Sequence, residues 1–257
     1  MVQTAIQLFT LADVEEPLPE LVARVGDTTF DGVEFYDAHF DALADEETRA
    51  RTRTALEDAD LEVAGAHVSI DRLESNVESL VSVCRDVECS TLVIPTYEAE
   101  AFATREGVEA AADRIAGLAT DLESHDVDLL YHNHTFEFES VGGDGEVAFE
   151  RFVDHADGRF GFEPDVGLAT HAGYDALSLL EQVAGAAPIV HLTDTVPDDD
   201  EKLHADVGDG VVDIEACADR AAEGGADWIV CENGRTDDPL ASLEHGSEAF
   251  ADLRDRV

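Results

Sequence analysis

Short apolar runs recur along the chain, each followed by a longer stretch whose apolar residues repeat every three or four positions. A short apolar run bounded by turn residues predicts a buried strand, and the three-to-four repeat predicts an amphipathic helix. The runs fall at Thr4–Phe9, Gly32–Phe35, Glu62–His67, Thr91–Pro95, Asp128–His132, Phe160–Glu163, Ile189–Leu192 and Trp228–Glu232. The clearest helical stretch is Asp71–Glu88, where Leu73, Val77, Leu80, Val81, Cys84 and Val87 form one apolar stripe. Residues 105–124 repeat the design with Val108, Ala112, Ile115, Leu118 and Leu122. Eight strand–helix repeats predict a closed parallel (β/α)8 TIM barrel in preference to an open doubly wound sheet. No Gly-x-Gly-x-x-Gly opens the first repeat, which argues against a dinucleotide fold. The length of 257 residues is usual for one such barrel, and no Pro-, Ser- or Gly-rich linker interrupts it. Residues 1–257 therefore read as a single TIM-barrel domain.

Charge changes the picture of the surroundings more than that of the fold. The chain carries 60 acidic against 15 basic side chains, a formal net charge of -45, and Lys202 is the one lysine. Such a field repels phosphate backbones and anionic bilayers, so neither nucleic acid nor membrane is an expected partner. Disorder is excluded by 44% hydrophobic residues in regular patterns. An acidic surface nearly without lysine suits molar salt, where the screening length falls to about 3 Å. The expected location is the cytoplasm of an extreme halophile. Cys84, Cys89, Cys217 and Cys231 lack zinc-motif spacing and read as reduced, buried thiols. The N-terminal MVQTAIQLFTL has no basic region or long apolar segment, so no signal peptide or membrane span is expected.

Reactive groups in such barrels project from the C-terminal strand ends and the loops that follow. Polar residues collect there: Gln7, Glu34, His67, the segment Tyr131-His132-Asn133-His134-Thr135-Phe136-Glu137-Phe138, Glu163-Pro164-Asp165, His191-Leu192-Thr193-Asp194, and Cys231-Glu232-Asn233. One acidic residue means little in so acidic a chain; the recurrence carries the signal. His191 and Glu232 interrupt apolar strands, where an unpaired charge is costly, and convergence on a cation would satisfy them together. Carboxylates with an imidazole suit Mn²⁺, Mg²⁺, Co²⁺ or Zn²⁺. Val207-Gly208-Asp209-Gly210 reads as a tight turn leading to Asp213 as a helix N-cap, with a phosphate grip as the alternative. Gly142, Gly143 and Gly145 read as another turn.

At these residues the chain resembles the xylose-isomerase-like barrel superfamily, in particular its sugar phosphate isomerases/epimerases. The most specific piece is Tyr131-His132-Asn133-His134-x-Phe136-Glu137-Phe138, which looks like the signature of one branch. Glu163-Pro164-Asp165-Val166-Gly167, Val190-His191-Leu192-x-Asp194 and His204-x-x-Val207-Gly208-x-Gly210-x-Val212-Asp213 support it in order along nearly the whole chain. The resemblance implies one divalent metal held by Glu137, Asp165, His191 and Glu232, with His132 as the alternative strand-five ligand. It implies an isomerase, epimerase or dehydratase acting through an enediolate on a keto-sugar or inosose-type substrate. Glu137 and Glu232 are then the acid–base pair, with His132 and His134 as alternative bases. Gln7, Glu34, His67 and His204 are the candidates for holding the substrate.

Two other readings stand beside it. Endonuclease IV, an apurinic-site nuclease, resembles this fold but needs three zinc ions. The chain departs from it at Pro95-Thr96, at Leu168 and at Lys202. The third reading is a sugar-binding barrel without chemistry. The substrate, its phosphorylation and any homo-oligomer stay open.

Overall fold

In the computed structural model, which describes residues 2–142, 145–197, 199 and 203–257, the alternating pattern becomes eight parallel strands and ten α-helices among the described residues. The strands are one (Gln3–Gln7), two (Gly32–Phe35), three (Glu62–His67), four (Thr91–Ile94), five (Asp128–His132), six (Gly161–Glu163), seven (Ile189–His191) and eight (Trp228–Cys231). Their hydrogen-bonded order is six, five, four, three, two, one, eight, seven. Strands six and seven meet through a single parallel bridge, Asp165 with His191, beside a 2.9 Å bond from the His191 N–H to the Pro164 carbonyl. The barrel thus closes at a seam formed by two of the predicted metal ligands.

Strand one ends at Gln7, two residues before the apolar run does. Its side-chain oxygen accepts the Phe9 N–H at 3.2 Å and starts the 3-10 turn Leu8–Leu11, so the chain leaves the sheet and Phe9 is 45% exposed. The predicted helices appear as Ile70–Asp86 and Arg105–Glu123. The first of them breaks at Asn76, whose φ of -161° is non-helical and whose side chain accepts the Ser79 N–H at 3.4 Å. Asparagine offers the backbone that alternative partner readily.

Part of the acidity serves local structure. Asp45, Asp165, Asp175, Asp213 and Asp238 each cap a helix by accepting the N–H three residues on. Such caps contribute about 1 kcal/mol each, and a negative charge suits the helix N-terminus. The cap expected of Asp213 is among them. Gly142 and Gly145 sit where the antiparallel pair Ser140–Val141 and Glu146–Val147 turns, while Gly143 lies outside the described residues.

Two apolar layers flank the strands. Inside the barrel Ala5, Ala64, Val93, Leu130, Ile189, Trp228 and Val230 form a closed plug. Between strands and helices runs the larger core, including Val33, Leu92, Leu129, Tyr131, Phe162 and Ile229. Full burial of each large side chain stabilises the fold by about 1.5–3 kcal/mol. All four cysteines are buried and unpaired. No helix of the described residues is long and apolar enough to cross a membrane.

Candidate metal centre

Above the apolar plug, inward positions turn polar, and strand register decides which of them meet. Gln7 stands level with Glu34, and His132 with Glu163. Glu34 is also level with Gly65, where a Cβ would come within 3.0 Å of its Oε1; glycine leaves room for the buried carboxylate. The outcome is a layer of Gln7, Glu34, Glu163, Asp165 and His191 with no exposed surface, under His67, His132 and Glu232, which are less than a tenth exposed.

Two groups within it have metal-ligand geometry. His67, His132, Glu163 and His191 form one; Asp165, His191 and Glu232 form the other, and each group keeps its ligand atoms within 4.8 Å of one another. Glu163 Oε2 lies 2.7 Å from His67 Nε2, 2.9 Å from His132 Nδ1 and 3.3 Å from His191 Nε2. His191 joins the groups: its Nε2 is 2.7 Å from Glu34 Oε2 and its Nδ1 is 3.1 Å from Glu232 Oε2. The Gln7 amide donates to Glu34 at 2.9 Å.

Asp165 is held on one side only. Its Oδ1 accepts from the Leu168 N–H at 2.7 Å, as a helix cap, and from the Thr193 hydroxyl at 2.5 Å. Its Oδ2 is buried without a partner, as are Glu34 Oε1 and Glu163 Oε1. A buried carboxylate oxygen with no donor costs free energy that a cation would relieve. The donor set, buried imidazoles with carboxylate oxygens, fits a divalent metal.

Proton affinities follow from this crowding. Burial opposes charge on His67 and His191, yet the Glu34 and Glu163 carboxylates raise both, His191 strongly. Burial likewise opposes ionisation of Glu232, but the His191 hydrogen bond and neighbouring histidines hold it down at about 2. Glu163, by contrast, is pushed up to about 8 by burial and by Glu34. Burial lowers His134 to about 4, and burial with adjacent histidines lowers His132 well below the ordinary imidazole. The layer therefore sets its carboxylates against imidazoles whose proton affinity they raise. Metal and protons compete for such a site.

Glu137 stands outside both groups. It lies in the 3-10 turn Phe136–Phe138, where Oε1 accepts from the Tyr131 hydroxyl at 2.7 Å and Oε2 from the His134 N–H at 2.9 Å. Burial pushes its pKa up to about 7. His132, the alternative strand-five ligand, lies within the histidine group.

A cavity of about 330 Å³ opens over this layer. His67, His132, His134, His204 and Glu232 line it, whereas Gln7 and Glu34 lie beneath, against His191. Pro95 and Thr96 contribute from the end of strand four, and Leu168 from the segment after strand six. Lys202 lies outside the described residues. Sequence reasoning counted Glu163 among the polar strand-end residues but gave it no role; the signal available was a charge closing the apolar strand Gly161–Glu163, and register puts it level with His132.

Gly208 and Gly210 donate to Asp194 Oδ2 at 2.9 Å each, and Thr195 and Val212 donate to Oδ1 at 2.9 and 3.0 Å. A Cβ on Gly210 would collide with that carboxylate. The amides that a phosphate would need are already engaged. Asp194 instead ties down the loop that brings His204 to the cavity.

The sequence profile described as "Xylose isomerase-like TIM barrel" matches residues 19–253. The chain belongs to the xylose isomerase-like TIM barrel family. Among solved structures of this fold, a sugar phosphate isomerase/epimerase from Parabacteroides distasonis superposes with a TM-score of 0.76 at 14% identity, covering 97% of this chain and 98% of that one. The probable 3-DHS dehydratase AsbF from Bacillus anthracis gives 0.79 at 12% identity, covering 97% and 99%. A D-tagatose 3-epimerase-like protein gives 0.70 at 14%, covering 99% of each. A search of curated protein sequences finds no match. At these identities the structural likeness speaks for the fold alone.

Proposed function

We propose that the chain is an enzyme that isomerises, epimerises or dehydrates a keto-sugar or inosose-type polyol through an enediolate, with one divalent metal. The observation that carries this reading is Asp165 Oδ2, buried without a partner beside His191 and Glu232 under an open cavity. Asp165, His191 and Glu232 would hold the metal, one of Mn²⁺, Mg²⁺, Co²⁺ or Zn²⁺. As strand-five ligand we take His132, which shares the histidine group with His191, over Glu137, whose two oxygens are engaged. When bound, the cation supplies Lewis-acid charge that acidifies a C–H beside a chelated carbonyl.

The chain's own groups account for proton movement. Glu232 lines the cavity and stays ionised at neutral pH, as a proton acceptor requires. His134 also lines it, stays neutral, and keeps its Nδ1 unpartnered. These two are the proposed proton acceptors, and Glu137, which burial pushes up to about 7 and which accepts the His134 N–H, is the group proposed to hold the proton that is returned. His67 and His204 are placed to contact substrate hydroxyls. Gln7 and Glu34 act through His191, whose ring they orient.

The related structures described as isomerases, epimerases and a dehydratase are consistent with this chemistry. Strand four is followed by Pro95 and Thr96, which supply no imidazole or carboxylate, so the site suits one centre better than a nuclease's three. The acidic composition supports a high-salt cytoplasm, and raising KCl from 0.1 to about 2 M should raise the melting temperature as self-repulsion is screened.

The test is metal analysis joined to solvent exchange. Purified protein should contain about one metal per chain and incorporate solvent deuterium beside the carbonyl of a keto-sugar or inosose. Glu232→Gln should lose both. A metal content near three would favour the nuclease; unchanged metal in Glu232→Gln, or no exchange on any substrate of the panel, would overturn the reading.

A further inference from the structure

We propose that the substrate carries an anionic group, a carboxylate or a phosphate, which Arg235 and His204 hold at the mouth of the cavity. This rests on the reading of the Asp165–His191–Glu232 centre as the place of substrate chemistry, and it names the class of molecule that centre accepts.

The charge arrangement points there. Of the fourteen arginines, twelve lie in ion pairs with carboxylates among the described residues, as expected in a chain with 60 acidic side chains. Arg85 and Arg235 are the two without a carboxylate partner among the described residues, and of these Arg235 lines the cavity. Two carboxylates share the cavity with it: Glu232 Oε2 lies 3.1 Å from His191 Nδ1, and Asp37 is bound by the Arg72 guanidinium at 3.0 and 3.1 Å and by the Ser69 N–H at 2.8 Å. Both are thus engaged without Arg235.

The backbone beneath Arg235 is anchored. Asn233 donates from its N–H to the Thr10 hydroxyl at 3.0 Å and from its amide to Asp206 at 2.8 Å, and its Oδ1 accepts the Arg235 N–H at 3.1 Å. Gly234 donates to His204 Nδ1 at 3.1 Å. With Nδ1 accepting, His204 keeps its proton on Nε2, so the ring adds an N–H donor to the cavity that Arg235 also lines. A guanidinium and an imidazole N–H lining one cavity from two loops joined by the Gly234–His204 bond match a carboxylate or phosphate, which arginine engages through paired bonds. The cavity is thus polarised, with Glu232 and the metal ligands at its floor and, at its mouth, a guanidinium without a carboxylate partner among the described residues. A substrate with its carbonyl down and its anion up fits that polarity, and the cation offsets the repulsion that a net charge of -45 exerts on any anion.

The test uses metal-loaded protein and binding rather than turnover. D-glucitol, D-gluconate and D-glucitol 6-phosphate, matched in length and hydroxyls, are titrated by calorimetry at one ionic strength. At least one anion should bind about tenfold tighter than glucitol, and the stronger of the two identifies the source as carboxylate or phosphate. Arg235→Gln should remove that advantage and leave glucitol affinity and metal content unchanged; Arg235→Lys should keep part of it. If neither anion exceeds glucitol, or the preference survives Arg235→Gln, the proposal is overturned. Failure of the underlying reading would show separately, as loss of the one-metal stoichiometry or of deuterium exchange while the anion preference persists.

Discussion

The lower and upper halves of the barrel are built from the same strands but obey opposite rules. Two residues apart on one inward face stand Ala5 and Gln7, Leu130 and His132, Ile189 and His191, Val230 and Glu232. The lower member of each pair belongs to the apolar plug; the upper belongs to the polar layer. Below, burial stabilises the fold directly through apolar area. Above, burial removes solvent from charged groups and is tolerated only because carboxylates, imidazoles and protons compensate one another. Stability resides in the first half and chemistry in the second, and a shift of two residues along a strand exchanges them.

The strongest way to break that comparison is at His191, which belongs to both ligand groups. His191→Gln leaves Glu34, Glu163 and Glu232 without their shared counter-charge. It should lower metal content below about a tenth, measured by elemental analysis, and destabilise the chain by about 3–5 kcal/mol in urea unfolding. A more stable variant would show that the upper layer carries no electrostatic compensation.

At Leu130 the same measurements should separate. Leu130→Ala opens a cavity in the plug and should cost about 2–5 kcal/mol while metal content stays at the wild-type level. Equal loss of metal would mean that the halves are not independent.

Asp194→Ala strips one buried carboxylate from four N–H groups of the His204 loop. It should cost about 1–3 kcal/mol and raise KM more than it lowers kcat, because His204 lines the cavity without touching the ligand groups. An unchanged KM would remove the loop from substrate binding.

An effect confined to acid pH, and vanishing at neutrality, is expected at His39, away from both halves, which burial holds at about 4. The unfolded chain takes up this proton near pH 6.5 and the folded chain only near 4, so stability falls as pH drops across that window. The loss is at most about 3 kcal/mol. His39→Gln should flatten the melting-temperature slope between pH 6.5 and 4 relative to wild type.

Apolar runs and periodicity in the sequence were enough for the eight strands and the two clearest helices, because burial is written in residue type, and the turn Val207–Gly210 was enough for the Asp213 cap. It also indicated that polar groups gather at strand ends, and the ordered motif from Tyr131 to Glu232 placed the chain beside its family. It misjudged the end of strand one by two residues, since a side-chain bond from Gln7 to the Phe9 amide, invisible to hydropathy, turns the chain out of the sheet. Tertiary structure alone decided which polar residues meet. Register placed Glu163 against His132, the seam between strands six and seven brought Asp165 to His191, and local bonds to Tyr131 and His134 drew Glu137 aside. Among the described residues the fold leaves Arg235 without a carboxylate partner. Sequence determined what each strand buries, because hydrophobicity belongs to the residue; the folded barrel decided what each carboxylate touches, because ligand geometry belongs to the distances between strands.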